Sequence, residues 1–235
     1  MAVNPRDAVK LRVLSYNVHN QKDDVDALAS VVRSLEPDVV VVQEGPRRFR
    51  WRHKTAALAD RFGMVVAAGG LPSLGNLILT TLRVDVHDTW CLRYPLTPGR
   101  HMRGAAFASC GVRGARFVVT GSHLATDPVE RPAQAAAWRA AIAAVEHPVI
   151  AAADLNDVPD GEAWRIAAEG LVDTAVAADR ADRLTYSSGA PSRRIDAVFV
   201  DPGIDILDYD VVDTPETRRA SDHFPVMVDL ALKPH

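Results

Sequence analysis

Leu11-Arg12-Val13-Leu14-Ser15-Tyr16-Asn17 alternates apolar and polar side chains for several steps, which predicts a strand that ends on Asn17. The next apolar positions, Val25, Leu28, Val31, Val32 and Leu35, fall at helical spacing. Asp23 or Asp24 can cap that helix, and Glu36-Pro37 closes it. Val39-Val40-Val41-Val42 is unbroken, as in a strand covered on both faces, and it delivers Gln43 and Glu44 before Gly45-Pro46 stops it. Strand, helix and buried strand in this order predict a βαβ unit. The same design returns at Val149-Ile150-Ala151-Ala152-Ala153, where a buried apolar run ends on Asp154 and, on the same side one residue later, Asn156.

Between these landmarks, 47–62 reads as a basic, largely helical piece, and 64–68 and 77–86 read as strands separated by a Gly- and Pro-rich loop. The stretch 92–104 reads as an irregular exposed loop. Ala105 to Val112 and Arg116 to Ser122 pair across a turn at Gly111 and Gly114, and the second strand ends on His123. A helix runs to Val145 from Asp127 or from a later start at Pro132. Glu162 to Glu169 is a helix stopped by Gly170. Further strands cover 193–200, with Asp196 inside an apolar stretch, 204–212, and 226–230 after Ser221-Asp222-His223-Phe224-Pro225. No linker or repeat divides the 235 residues, so one domain over 1–235 with its core at 11–231 is expected.

Composition narrows the classes. The net charge of -3 argues against a protein that holds nucleic acid by overall positive charge, although a local basic patch stays open. Arg47, Arg48, Arg50, Arg52 and Lys54 around Phe49 and Trp51 read either as a solvated helix face or as a phosphate-contacting rim. Cys91 and Cys110 lie in no metal or redox motif and read as core residues. Met1 to Lys10 has no apolar leader core, and no stretch is long and apolar enough to span a bilayer, so a cytoplasmic monomer is the expectation.

Strand ends and nearby loops thus present Asn17, Glu44, His123, Asp154, Asn156, Asp196, Asp222 and His223. Each has an ordinary reading: Asp-X-Asn as a turn, Asp196 as a solvent face, His123 as a satisfied core histidine, Glu44 and Asn17 as turn residues, Asp222-His223 as a capped loop. Together they suit phosphate-ester hydrolysis. Carboxylates offer hard oxygen ligands to Mg²⁺, or to Mn²⁺. A histidine backed by a buried carboxylate, as His223 with Asp196, can activate water. Asn156 and His123 can donate to phosphate oxygens.

Leu14-Ser15-Tyr16-Asn17, Val42-Gln43-Glu44, Gly75-Asn76-Leu77-Ile78-Leu79, Ser122-His123-Leu124, Ala153-Asp154-Leu155-Asn156, Arg194-Ile195-Asp196 and Ser221-Asp222-His223, in this order, resemble the endonuclease/exonuclease/phosphatase superfamily with its deoxyribonuclease-I-like fold. The resemblance implies a four-layer α/β sandwich, two central mixed β-sheets flanked by helices, and a divalent-metal-dependent phosphoesterase. It implies Glu44 as principal metal ligand with Asn17 close by, and His223 as base oriented by Asp196. Asp154 and Asn156 would position nucleophile and phosphate, His123 would assist phosphate or leaving group, and Asp222 would support His223. Arg103 and Asn76 would lie on the substrate side. The chain lacks the Trp and Cys of the inositol polyphosphate phosphatase element at Pro191 to Asp196, the tyrosine motif of abasic-site endonucleases, and the export signal and aromatic hairpin of secreted sphingomyelinases. It follows the compact bacterial-type branch instead. A phosphodiester substrate, DNA or RNA, is the leading expectation. A small phosphorylated metabolite or lipid headgroup and a non-catalytic binding module are the alternatives.

Overall fold

Burial along the first strand shows how the chain builds layers. In the computed structural model, which describes residues 8–234, β1 (Val9–Asn17) turns Leu11 and Val13 to one face and Leu14 and Tyr16 to the other, and all four are buried. A sheet covered on both faces needs a partner sheet on one side and helices on the other. The absence of an apolar leader was read partly from residues 1–7, which lie outside the described residues.

The remaining strands are β2 (Val39–Gln43), β3 (Val65–Gly69), β4 (Leu77–Thr80), β5 (Asp85–Arg93), β6 (Gly104–Val112), β7 (Ala115–His123), β8 (Val149–Asp154), β9 (Val172–Asp173), β10 (Asp196–Val200), β11 (Asp205–Val211) and β12 (Val226–Leu232). They form two six-stranded sheets, ordered β11-β12-β1-β2-β4-β3 and β5-β6-β7-β8-β10-β9. Both are mixed, because β1 with β2 and β7 with β8 pair in parallel while their outer neighbours run antiparallel.

Between the sheets, Leu11, Val13, Val39 and Val41 meet Ala106, Ala108, Phe117, Val119 and Ile150 in one core. At Gly121 of β7 a Cβ would stand 2.3 Å from Val41 Cγ1, so only glycine fits there without a shift. On the outer face of the first sheet, Leu14, Tyr16, Val40 and Val42 pack against α1 (Val25–Leu35) and α2 (Trp51–Phe62). On the outer face of the second, Ala151 and Phe199 pack against Trp138 and Ile142 of α3 (Arg131–Ala143) and Trp164 of α4 (Glu162–Ala168). The result is the four-layer α/β sandwich expected. Two short helices, α5 (Thr174–Ala177) and α6 (Pro215–Ala220), complete the order. Among the described residues no helix is long and apolar enough to cross a membrane.

Several boundaries differ from the sequence expectation. The strand expected over 77–86 divides at 81–84, because β4 and β5 belong to opposite sheets. The expected loop 92–104 loses both ends to the ladder, since Leu92 and Arg93 pair with Ala105 and Gly104. The helix after His123 takes the later start, with Pro132 in its first turn. Cys110 is buried, but Cys91 is exposed: it lies on edge strand β5, none of whose residues is buried.

Candidate active site

Strand register assembles the centre of the site. In the second sheet His123 ends β7 opposite Asp154 at the end of β8, and Asp154 in turn faces Asp196, the first residue of β10. Three polar side chains therefore stand on adjacent strands, about 4.8 Å apart per step, at the edge of an apolar core. In the first sheet Asn17 ends β1 opposite Gln43, one residue before Glu44. Packing of the two sheets brings Asn17 onto the row: its Nδ2 donates to Asp154 Oδ2 at 2.9 Å and lies 3.4 Å from His223 Nε2.

His223 comes from the segment between α6 and β12. Ser221 fixes that segment, its Oγ donating to the Asn17 carbonyl at 2.7 Å and accepting from the His223 amide at 3.3 Å. The imidazole Nδ1 lies 2.9 Å from Asp196 Oδ2 and 3.2 Å from Oδ1, so Nδ1–H donates to the carboxylate and Nε2 is turned toward Asn17 and Asp154. Asp196 is held in turn by its amide, which donates to Thr185 Oγ1 at 3.2 Å. The Tyr186 ring lies against His223 with centroids 4.7 Å apart, and the Arg193 guanidinium stands over the Tyr186 ring at 5.1 Å.

Arg103 determines the state of the second histidine. A guanidinium can only donate, so its Nη1, 2.9 Å from His123 Nδ1, requires a lone pair there. His123 Nε2 faces Asp154 Oδ2 at 3.2 Å and the Asn156 side-chain nitrogen at 3.0 Å. Burial, followed by the charges of Arg103, His223 and Arg47, holds the His123 pKa well below its usual value. His123 is thus a neutral imidazole. Asn156 lies beside it in a left-handed conformation (φ 50°), with its amide N–H donating to Asp154 Oδ1 at 3.0 Å and its side chain to the Leu124 carbonyl at 3.1 Å. Arg131 clamps the Asn156 carbonyl.

Burial is the largest influence on Asp154, and it pushes the carboxyl up to about 6 against the opposing pull of His223, Asn17 and the Asn156 amide. For His223 burial opposes protonation, but Asp196 and Asp154 outweigh it and raise the imidazole to about 10. Burial thus raises Asp154, while the charges of the two carboxylates raise His223. Ligand atoms of Asp154, Asp196 and His223 all lie within 4.8 Å of one another. The carboxylates in this set are hard oxygen donors that suit a divalent cation nearby, and its positive charge would weaken the hold on the His223 proton.

Glu44 reaches the same end of the sandwich from the other sheet. Its backbone is left-handed (φ 57°), and its carboxylate accepts from Asn20 rather than touching the row directly. Asp222 lies at the rim, half-buried, 3.7 Å from His19 Nδ1, which is itself 2.7 Å from Asp23. Asn76 is buried, and its Nδ2 donates to the carbonyls of Ser73 and Gly104, pinning a loop against the start of β6. One network therefore joins Asn17, Arg103, His123, Asp154, Asn156, Asp196 and His223, with Glu44 and Asp222 flanking it and Asn76 supporting from behind. Asn20, Thr185, Tyr186 and Ser221 were not singled out by the sequence. Only Ser221, next to Asp222-His223, carried a local signal.

The family model described as the Endonuclease/Exonuclease/phosphatase family matches residues 14–223. The chain belongs to this family. Its members are hydrolases acting on phosphoester bonds. No curated protein matches the chain by sequence. Among solved structures it is similar to a family member from Bacteroides thetaiotaomicron (19% identity, 96% of this chain and 99% of that one, TM-score 0.82). The mannosyl-6-phosphatase Bt3783 of the same species is similar at 18% identity, with 94% and 99% coverage and a TM-score of 0.79. D. rerio TDP2, in complex with a single-strand DNA product, is similar at 21% identity, with 94% and 98% coverage and a TM-score of 0.78. At these identities the likeness shows the fold alone.

Proposed function

We propose that this family member hydrolyses a phosphodiester in nucleic acid, with a divalent cation, Mg²⁺ or Mn²⁺, held by Glu44 with Asn17 beside the Asp154 cluster. The whole chain would act as one catalytic domain, a monomer at work in the cytoplasm. The observation that carries the proposal is the buried His223–Asp196 pair whose Nε2 opens onto Asn17 and Asp154.

In this reading His223 Nε2 takes a proton from water as the water attacks phosphorus, and the bond from phosphorus to the bridging ester oxygen breaks, that oxygen leaving as an alcohol once it has gained a proton from solvent. The Asp196 carboxylate fixes the tautomer and stabilises the imidazolium that forms. Asp154 orients the water, with Asn17 holding the carboxylate in place. His123, protonated on Nε2, and the Asn156 side-chain amide donate to the non-bridging oxygens, where negative charge must be stabilised. Arg103, locked on His123 Nδ1, keeps that donor neutral and aimed. The cation would polarise the phosphate oxygens as a Lewis acid.

TDP2, with its single-strand DNA product, favours the nucleic-acid reading. Bt3783, a mannosyl-6-phosphatase on the same fold, favours a second one, a small phosphorylated metabolite. The protein should be assayed with Mg²⁺ or Mn²⁺ against DNA, RNA, bis-p-nitrophenyl phosphate and sugar phosphates over a range of salt. Turnover of the diesters with kcat/KM falling steeply in salt is the expected result, because phosphate contacts release counterions. Turnover of monoesters alone, insensitive to salt, would replace the first reading with the second.

A further inference from the structure

Beyond Glu44 lies a cavity of about 750 Å³, within the range of true ligand sites. Lys22, Arg47, Arg48, Lys54, Arg61 and His101 line it, and Glu44 is its one carboxylate. Such a concentration is unexpected on a chain of net charge -3, and the neutralising partners of these cations differ. Arg61 pairs with Asp26 at 2.6 Å, and Arg47 donates to the Leu74 carbonyl at 3.1 Å. Among the described residues, Lys22, Arg48 and Lys54 have no carboxylate within ion-pairing distance. Cations drawn into one concavity without counter-charges repel one another, and an anion between them removes that cost.

The cavity shares Glu44 with the candidate metal site, and none of the Asn17, His123, Asp154, Asp196 or His223 row lines it. His101 also lines the small cleft that contains Arg103. The charge of Arg47 is felt at His123 and Arg103 alike. We propose that this cavity is a second phosphate subsite: the substrate carries another phosphate next to the scissile one, seated against Arg48, Lys54 and Lys22. The subsite rests on the phosphoesterase reading and narrows its substrate to molecules with two or more phosphates. Phe49, 84% exposed and next in the chain to the lining residue Arg48, offers an open ring for stacking, which favours a nucleic-acid strand over a small bisphosphate. Trp51 offers no such face, since it already packs against Gly70 with Arg52 over its ring.

Arg48 and Lys54 are both exposed, so the double variant Arg48→Gln/Lys54→Gln should fold; thermal melting checks this. Three readouts on wild type and variant test the subsite: binding of fluorescein-labelled hexathymidylate over a range of salt, calorimetric binding of a hexose bisphosphate, and kcat/KM on hexathymidylate relative to bis-p-nitrophenyl phosphate. The expected result is at least tenfold weaker binding, a tenfold lower ratio, and a log–log salt slope shallower by about 1.4, at about 0.7 per single-strand phosphate contact. Binding, slope and ratio within twofold of wild type would overturn the subsite. Binding of the bisphosphate alone, still lost in the variant, would keep the subsite and assign it to a small molecule. Weaker binding by the variant, with no diester turned over by wild type, would keep the subsite and overturn the phosphodiesterase reading. Turnover with no effect of the variant would do the reverse.

Discussion

Asp196→Asn changes one atom at the point where the account is most exposed. Asp196 presents Oδ2 and Oδ1 at 2.9 and 3.2 Å from His223 Nδ1, both residues are buried, and the Asp196 amide is held on Thr185. The asparagine has nearly the same shape, so the strand should keep its register. If the new amide nitrogen faces the ring, two donors meet, and the imidazole must move its proton to Nε2. The lone pair that takes the proton from water is then gone. If the amide oxygen faces the ring, the tautomer survives but the charge that stabilises the imidazolium is lost. Both outcomes remove general-base catalysis, which contributes typically 10²–10⁴-fold, or roughly 3–5 kcal/mol of barrier at 1.36 kcal/mol per tenfold. The assay is kcat on bis-p-nitrophenyl phosphate at saturating Mg²⁺, with circular dichroism and melting as folding controls. A variant within about threefold of wild type, folded and metal-saturated, would refute the role of the pair.

Glu44→Ala should raise the Mg²⁺ concentration needed for half-maximal activity at least tenfold, and an unchanged titration would take the cation away from Glu44. In EDTA, His223 titrates near 10 when folded against about 6.5 unfolded. Its contribution to stability is therefore complete below about pH 6.5 and lost as pH rises through about 10; Tm should fall over that window, and His223→Gln should flatten the fall. Gly121→Ala places a methyl against Val41 between the sheets and should cost roughly 1–3 kcal/mol. That corresponds to a Tm lower by roughly 2–12 °C, and an unchanged Tm would mean that the sheets are less tightly apposed.

How much of this was legible in the sequence depended on whether the information was local. Val39 to Val42 and Val149 to Ala153 announced buried strands, because apolar runs of that length fit few other environments. The residues ending them, Glu44 and Asp154, could be named as site residues for the same reason. Register was not legible: nothing local says that His123, Asp154 and Asp196 share one level across three strands. The edge position of β5 was hidden too, since it depends on which strand fails to gain a neighbour, and Cys91 was misplaced with it. Asn20 and Tyr186 act through contacts spanning 24 and 37 residues, to Glu44 and to His223. Of the basic segment 47–54, Arg47, Arg48 and Lys54 line a cavity at Glu44, a placement that rests on the fold and has no local signal.

Comparison of wild-type protein with His223→Ala on bis-p-nitrophenyl phosphate, each in Mg²⁺ and in EDTA, tests the whole arrangement in one measurement. The account predicts metal-dependent hydrolysis by wild type, abolished in EDTA, and at least ~100-fold slower turnover by the folded variant. Equal turnover by the two proteins in Mg²⁺ would contradict it.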